Sequence, residues 1–193
     1  MTREKMLKRS IPTQFQARTD ENENPVIEGY FVVFNSNYDM GCGMSESIAP
    51  NAFDVSGDIR ALINHDTTLV VGRTAAHTLT LKPDDYGIWG RIEINRNDSD
   101  AMNMYHRVKR GDVSQCSIGF IITEESTEIR DNGDIHWTIT KGELFEVSCC
   151  TFPAYEETGI AARSQEKAEI IKRQRDAWRI NMMKKLKGEK ENA

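Results

Sequence analysis

The sequence predicts an α+β chain that is mainly β, and three observations carry that reading. Short apolar runs bounded by turn residues recur from Ile11 to about Ala162, one capped helical segment stands among them, and apolar spacing turns helical beyond Arg163. At 193 residues, with 38% hydrophobic and 28% charged, the chain has the size of one domain with a short appendage. It lacks the run of about eighteen apolar residues that a membrane span needs. The basic start MTREKMLKRSIPTQ leads into no apolar stretch, so no secretory signal is expected and the setting is cytoplasmic.

Taken in order, strands are expected at Ile11–Arg18, Val26–Phe34 and Ile59–Asn64, each a run with strand composition. Thr78–Lys82 and Gly87–Ile94 follow, joined by the turn signal Pro83-Asp84-Asp85-Tyr86-Gly87. Asn97-Asp98-Ser99-Asp100 precedes Ala101–Arg110, and acidic residues at its start with Lys109 and Arg110 at its end predict a capped helix. Val113–Thr123 and Ile135–Thr140 flank Asp131-Asn132-Gly133-Asp134, residues that tolerate positive φ and mark the clearest hairpin. Glu143–Phe152 closes the set. In the last stretch Ala168, Ile171, Trp178, Met182 and Leu186 recur at three- or four-residue spacing, which predicts an amphipathic helix. Arg175 interrupts the stripe and argues against a long coiled coil.

Charge divides the chain. Residues 164–193 carry nine Lys and Arg against five Asp and Glu, whereas residues 1–163 carry sixteen against twenty-five. An acidic body repels phosphate, so specific nucleic-acid binding is not expected. The cysteines, Cys42, Cys116, Cys149 and Cys150, lack zinc-site spacing and are too sparse for a disulfide scaffold, so they read as small buried thiols. No metal and no cofactor is expected.

Four histidines and eleven serines guarantee some Ser/His pair, so local context must discriminate. His65 ends the short apolar run Leu62-Ile63-Asn64, where a side chain can emerge beside a cleft. In Val113–Phe120 the two-residue period of a strand sets Ser114 on the face of Cys116, Ile118 and Phe120, and Ser117 on that of Gln115 and Gly119. Ser117 therefore has the freer surroundings. Gly119 leaves either a gap for a substrate backbone or a β-bulge. Glu146 lies inside an apolar strand on the face of Ser148, and a buried carboxylate there needs a partner such as a histidine, an arginine or backbone N–H groups. Ser117, His65 and Glu146 could supply the nucleophile, base and orienting acid of a triad.

The order of motifs resembles the prohead serine protease family of tailed bacteriophages, which shares a fold with the herpesvirus maturation proteases. The matching pieces are Ile27-Glu28-Gly29-Tyr30 with Val33-Phe34-Asn35-Ser36, Ile48-Ala49-Pro50-Asn51-Ala52-Phe53, and Asn64-His65-Asp66 with Val71-Gly72-Arg73-Thr74. Val108–Phe120, Glu143–Ser148 and Thr151-Phe152-Pro153-Ala154-Tyr155 complete them, so the resemblance spans about Ile11 to Arg163. It implies a compact closed β-barrel flanked by a few helices, with a protease domain over residues 1–163 and a basic helical tail over 164–193. The implied enzyme is a serine endopeptidase that acts in the host cytoplasm inside the immature capsid. It cleaves the scaffolding segment of the major capsid protein, or a scaffold protein, and itself.

The resemblance assigns His65, Ser117 and Glu146 as catalytic, with Ser114 as alternative nucleophile. The related viral enzymes use a second histidine as third member, which keeps His136 and His106 as alternatives to Glu146. His77 and His106 otherwise read as solvated. Gly72-Arg73-Thr74 is a candidate source of oxyanion N–H groups, with Arg73 equally readable as a surface ion-pair residue. A homo-oligomer is conceivable by fold analogy alone. The rival readings are a non-enzymatic capsid or scaffold component, and a cysteine hydrolase using Cys116, which parity turns away from Ser117.

Overall fold

The computed structural model describes residues 7–11, 15–21, 23–152 and 157–186. The chain divides into two compact units, Met1–Glu156 and Glu157–Ala193. In the first unit, β1 (Leu7–Ile11), β4 (Tyr38–Gly41), β5 (Met44–Ile48), β6 (Arg60–Ile63), β7 (Asp66–Arg73), β10 (Gln115–Ile129) and β11 (Ile135–Cys150) form one sheet. β2 (Phe15–Thr19), β3 (Pro25–Val33), β8 (Leu79–Pro83) and β9 (Gly87–Glu93) form a second, in the order β2-β3-β9-β8. Both contribute to one core, in which Phe15, Ile27, Phe31, Ile88 and Ile92 join Ile118, Phe120 and Val147.

The expected closed barrel is not formed. Closure requires every strand to have a partner on both edges. Here the larger sheet runs β1-β10-β11-β5-β4, with β6 and β7 as a branch, and among the described residues the strands of the smaller sheet pair only with one another. The branch arises because β11 is long enough to carry two parallel partners in succession on one edge. β5 pairs with Ile135–Ile139 and β6 with Glu146–Cys149. Between them Phe53 bridges Gly142, where an added Cβ would lie 2.7 Å from the Phe53 ring.

Several expected elements appear with changed bounds. The run expected as one strand at Ile11–Arg18 is two, β1 and β2, in different sheets. Ile135–Thr140 and Glu143–Phe152 fuse into β11, while β4, β5 and β7, polar or glycine-interrupted, carry too little apolar alternation to be read as strands. The helix α1 (Ser99–Arg110) starts at the N-cap Asp98, whose carboxylate accepts from the Asp100 and Ala101 N–H groups, and stops at Gly111 with φ 88°. The turn at 131–134 closes through Arg130 N–H to the Asp134 carbonyl, with Gly133 at φ 84°.

In the second unit, α2 (Glu157–Leu186) is a helix as expected, but not a one-sided one. Trp178 and Met182 keep the predicted stripe, whereas exposed Ile180 and Met183 fall well away from it at about 100° per residue. Of the described helices, none is long and apolar enough to cross a membrane.

Candidate active site

His65 belongs to a two-residue turn and not to the strand end where the sequence set it. β6 and β7 pair with Ile63 opposite Asp66, which leaves Asn64 and His65 to reverse the chain. Both have positive φ, 50° and 61°, the signature of a type I′ turn. Asparagine adopts that backbone readily and histidine less so. The turn is held from the end of β11: Asn64 N–H donates to the Cys149 carbonyl at 3.0 Å, and Thr151 N–H donates to Asn64 Oδ1 at 2.9 Å. His65 N–H donates to Ser148 Oγ at 3.2 Å.

The turn delivers the imidazole to Glu146. His65 Nδ1 lies 2.5 Å from Glu146 Oε1, and both side chains are buried, 7% and 5% exposed. A carboxylate oxygen accepts, so Nδ1 is the donor of this pair. Nε2 is buried and has no hydrogen-bond partner among the described residues. The second carboxylate oxygen accepts from Ser148, whose Oγ stands 2.6 Å from Oε2. The buried carboxylate thus has the histidine partner its position demanded, and a hydroxyl that sequence reading missed. A signal for the hydroxyl existed, since Ser148 is two residues from Glu146 on one strand face.

Ser117 is fully buried, which corrects the expectation of freer surroundings. The reason is its central place: β10 lies between β1 and β11, with Ser117 opposite Ser10 on one side and Ser148 on the other. Gly119 lies opposite Glu146, and the register slips between Gly119 and Phe120, so that Phe120 faces Leu144 and Phe145 is the extra residue. The bulge reading of the glycine holds, whereas the gap expected for a substrate backbone is filled by Glu146. A Cβ at position 119 would meet Glu146 Oε1 at 2.4 Å.

Other candidates lie apart. Ser114 is exposed and precedes β10, so it does not share the buried face of Cys116, Ile118 and Phe120. His136 sits toward the opposite end of β11, with Nδ1 2.8 Å from Ser45 Oγ and Nε2 2.8 Å from Ser47 Oγ. Burial lowers its pKa, with nearby Arg130 acting the same way. His77 and His106 are exposed.

The Gly72-Arg73-Thr74 turn is committed elsewhere. Arg73 N–H donates to Thr78 Oγ1 and Thr74 N–H to the Ile59 carbonyl. The Arg73 guanidinium holds Asp58 at 2.6 Å and lowers the pKa of that carboxyl. Cys116, Cys149 and Cys150 are buried, but Cys42 is exposed, in a Gly41-Cys42-Gly43 turn that sequence reading took for interior. No group of three or more His, Cys, Asp or Glu residues suited to hold a metal is present among the described residues.

The family model described as caudovirus prohead serine protease matches residues 13–173. The prohead protease of Enterobacteria phage HK97 is 30% identical over 161 residues, which cover 80% of this chain and 67% of that relative. No solved structure matches the chain.

Proposed function

The chain belongs to the caudovirus prohead serine protease family, the serine peptidases of phage capsid maturation, and from that premise we propose that Ser117 is its nucleophile, His65 its general base and Glu146 the carboxylate that orients the base. What supports these roles above all is one contact. Glu146 occupies His65 Nδ1 at 2.5 Å, while Nε2 has no hydrogen-bond partner among the described residues. That is the tautomer a base needs.

In the reaction His65 Nε2 takes the proton of Ser117 Oγ as the oxygen attacks a peptide carbonyl. It returns the proton to the amine nitrogen as the C–N bond breaks, leaving an acyl-enzyme. Water then attacks the ester with the same base, and Ser117 recovers its proton. Glu146 offsets the charge of the imidazolium in both steps, and backbone N–H groups aimed at the oxyanion add about 3–4 kcal/mol. His136 is disfavoured as third member, because Ser45 and Ser47 occupy both of its ring nitrogens.

The capsid protein inside the prohead is the substrate class, and we assign the cut to its scaffolding segment. The Cys116-Ser117-Ile118-Gly119 context supports kinship with the herpesvirus maturation proteases. The basic tail, 164–193, guides the enzyme to an acidic surface of the assembling shell and is removed by self-cleavage.

The test is co-expression with the phage's major capsid protein, with capsid-protein length read by intact mass. Wild type shortens it, Ser117→Ala and His65→Ala do not, and Ser114→Ala still does. Cleavage surviving Ser117→Ala, or lost only with Ser114→Ala, overturns the assignment. Normal prohead entry by an enzyme lacking 164–193 overturns the role given to the tail.

A further inference from the structure

We infer that Ser148 is a positioning residue of this site, a single hydroxyl that locks the acid and the base-bearing turn to each other. The inference rests on the roles just assigned to Ser117, His65 and Glu146. Ser148 is fully buried in β11. A hydroxyl has one proton to give and lone pairs to receive with. Ser148 gives its proton to Glu146 Oε2 at 2.6 Å and receives the backbone N–H of His65 at 3.2 Å. It therefore touches the side chain of one member and the main chain of the other.

Two restraints define the Glu146 carboxylate. On one side Gly119 leaves room for Oε1, and on the other Ser148 holds Oε2, so the plane of the carboxylate is fixed where Oε1 meets Nδ1. Without the Ser148 hydroxyl, Oε2 loses this donor and the group gains freedom to rotate. The His65 N–H, in a positive-φ turn, loses its acceptor in the same stroke. Both losses act on ring orientation. Neither involves a group that touches the substrate, so the expected effect is on kcat and not on KM. A misplacement of this kind costs about 10²-fold.

The experiment compares wild type, Ser148→Ala and Ser148→Thr, full-length, on a peptide spanning the capsid-protein junction that intact mass identifies. Ser117→Ala and His65→Ala run alongside, and melting temperature is measured for each. Ser148→Ala is expected to lose about 10²-fold in kcat with KM within twofold and a melting temperature lowered by a few degrees, because a buried carboxylate oxygen and a buried N–H each lose a partner, and Ser148→Thr to regain most of both losses. A kcat for Ser148→Ala within twofold of wild type overturns the inference. So does an equal loss in Ser148→Thr at normal melting temperature, since the hydroxyl would then not be the cause. Cleavage persisting in Ser117→Ala or His65→Ala refutes the assigned roles themselves, a result distinct from either.

Discussion

A Cβ at position 119 would lie 2.4 Å from Oε1 of Glu146, the oxygen that meets the His65 ring. Of the two readings that the sequence leaves open for this glycine, the β-bulge is formed and the gap is filled by the acid and not by a substrate. Gly119→Ala should therefore push the carboxylate off Nδ1. The expected loss of cleavage is about 10²-fold, with overpacking costing about 1–3 kcal/mol of stability. Steady-state kinetics beside a urea titration separates the two, and unchanged kcat would show that the carboxylate has another place to go.

The left-handed turn makes a different demand. Asn64 supplies both a tolerant backbone and an Oδ1 that receives the Thr151 N–H at 2.9 Å. Asn64→Ala removes both, at about 1–2 kcal/mol for the backbone strain and about 1 kcal/mol for the hydrogen bond. Asn64→Gly keeps the backbone and loses only the second. Chemical denaturation should rank wild type, then Asn64→Gly, then Asn64→Ala; the reverse order of the two variants would remove strain from the account.

Thiol reactivity should divide the four cysteines. Burial raises the Cys149 thiol and pushes that of Cys150 up to about 12, so neither offers a thiolate at neutral pH. Cys116 is fully buried, with its Sγ 3.5 Å from the Phe31 carbonyl. Only Cys42 is exposed. Brief treatment of the native protein with a maleimide should add one label, at Cys42, and denaturant should admit the other three. Rapid native labelling of Cys116 would mean that the core opens far more readily than its packing suggests.

His136 ties acid sensitivity to the contact between β5 and β11. Burial holds its pKa below the ordinary histidine value, so the unfolded chain binds the proton first as pH falls. Its contribution is flat above about pH 6.5, declines as pH drops from there toward the folded value, and levels off below it. His136→Gln should lower the melting temperature near neutrality, because Ser45 and Ser47 lose their partner, yet show a shallower decline between about pH 7 and pH 5. Parallel melting curves for the two proteins across that range would refute the role.

Much of the site was legible in the sequence because a strand has a two-residue period. The cost of burying Glu146 demanded a partner of the kind it has in His65, whereas parity set Ser117 apart from Cys116 and Ile118 although all three are fully buried. Parity could not foresee the extra residue at Phe145, which moves the core-facing position to Leu144. It also says nothing of sheet membership. The one strand expected at Ile11–Arg18 divides between β1 and β2 in different sheets, and Pro12, which cannot donate to a ladder, is the local signal for that division. The closed barrel was implied by the family resemblance and by no run of residues, since closure is a property of all edges at once.

The pairing of β6 with β11 also sets a timetable. His65 and Glu146 stand 81 positions apart, and the edge of β6 that lies away from β7 gains its partner only when β11 arrives. A nascent chain that has emerged as far as Asp134 already holds Ser117 and His65 but not Glu146, the partner of the His65 ring. Distant pairings form late and slowly. With the roles proposed for Ser117, His65 and Glu146, the site is therefore completed only when β11 has been made and has paired with β6.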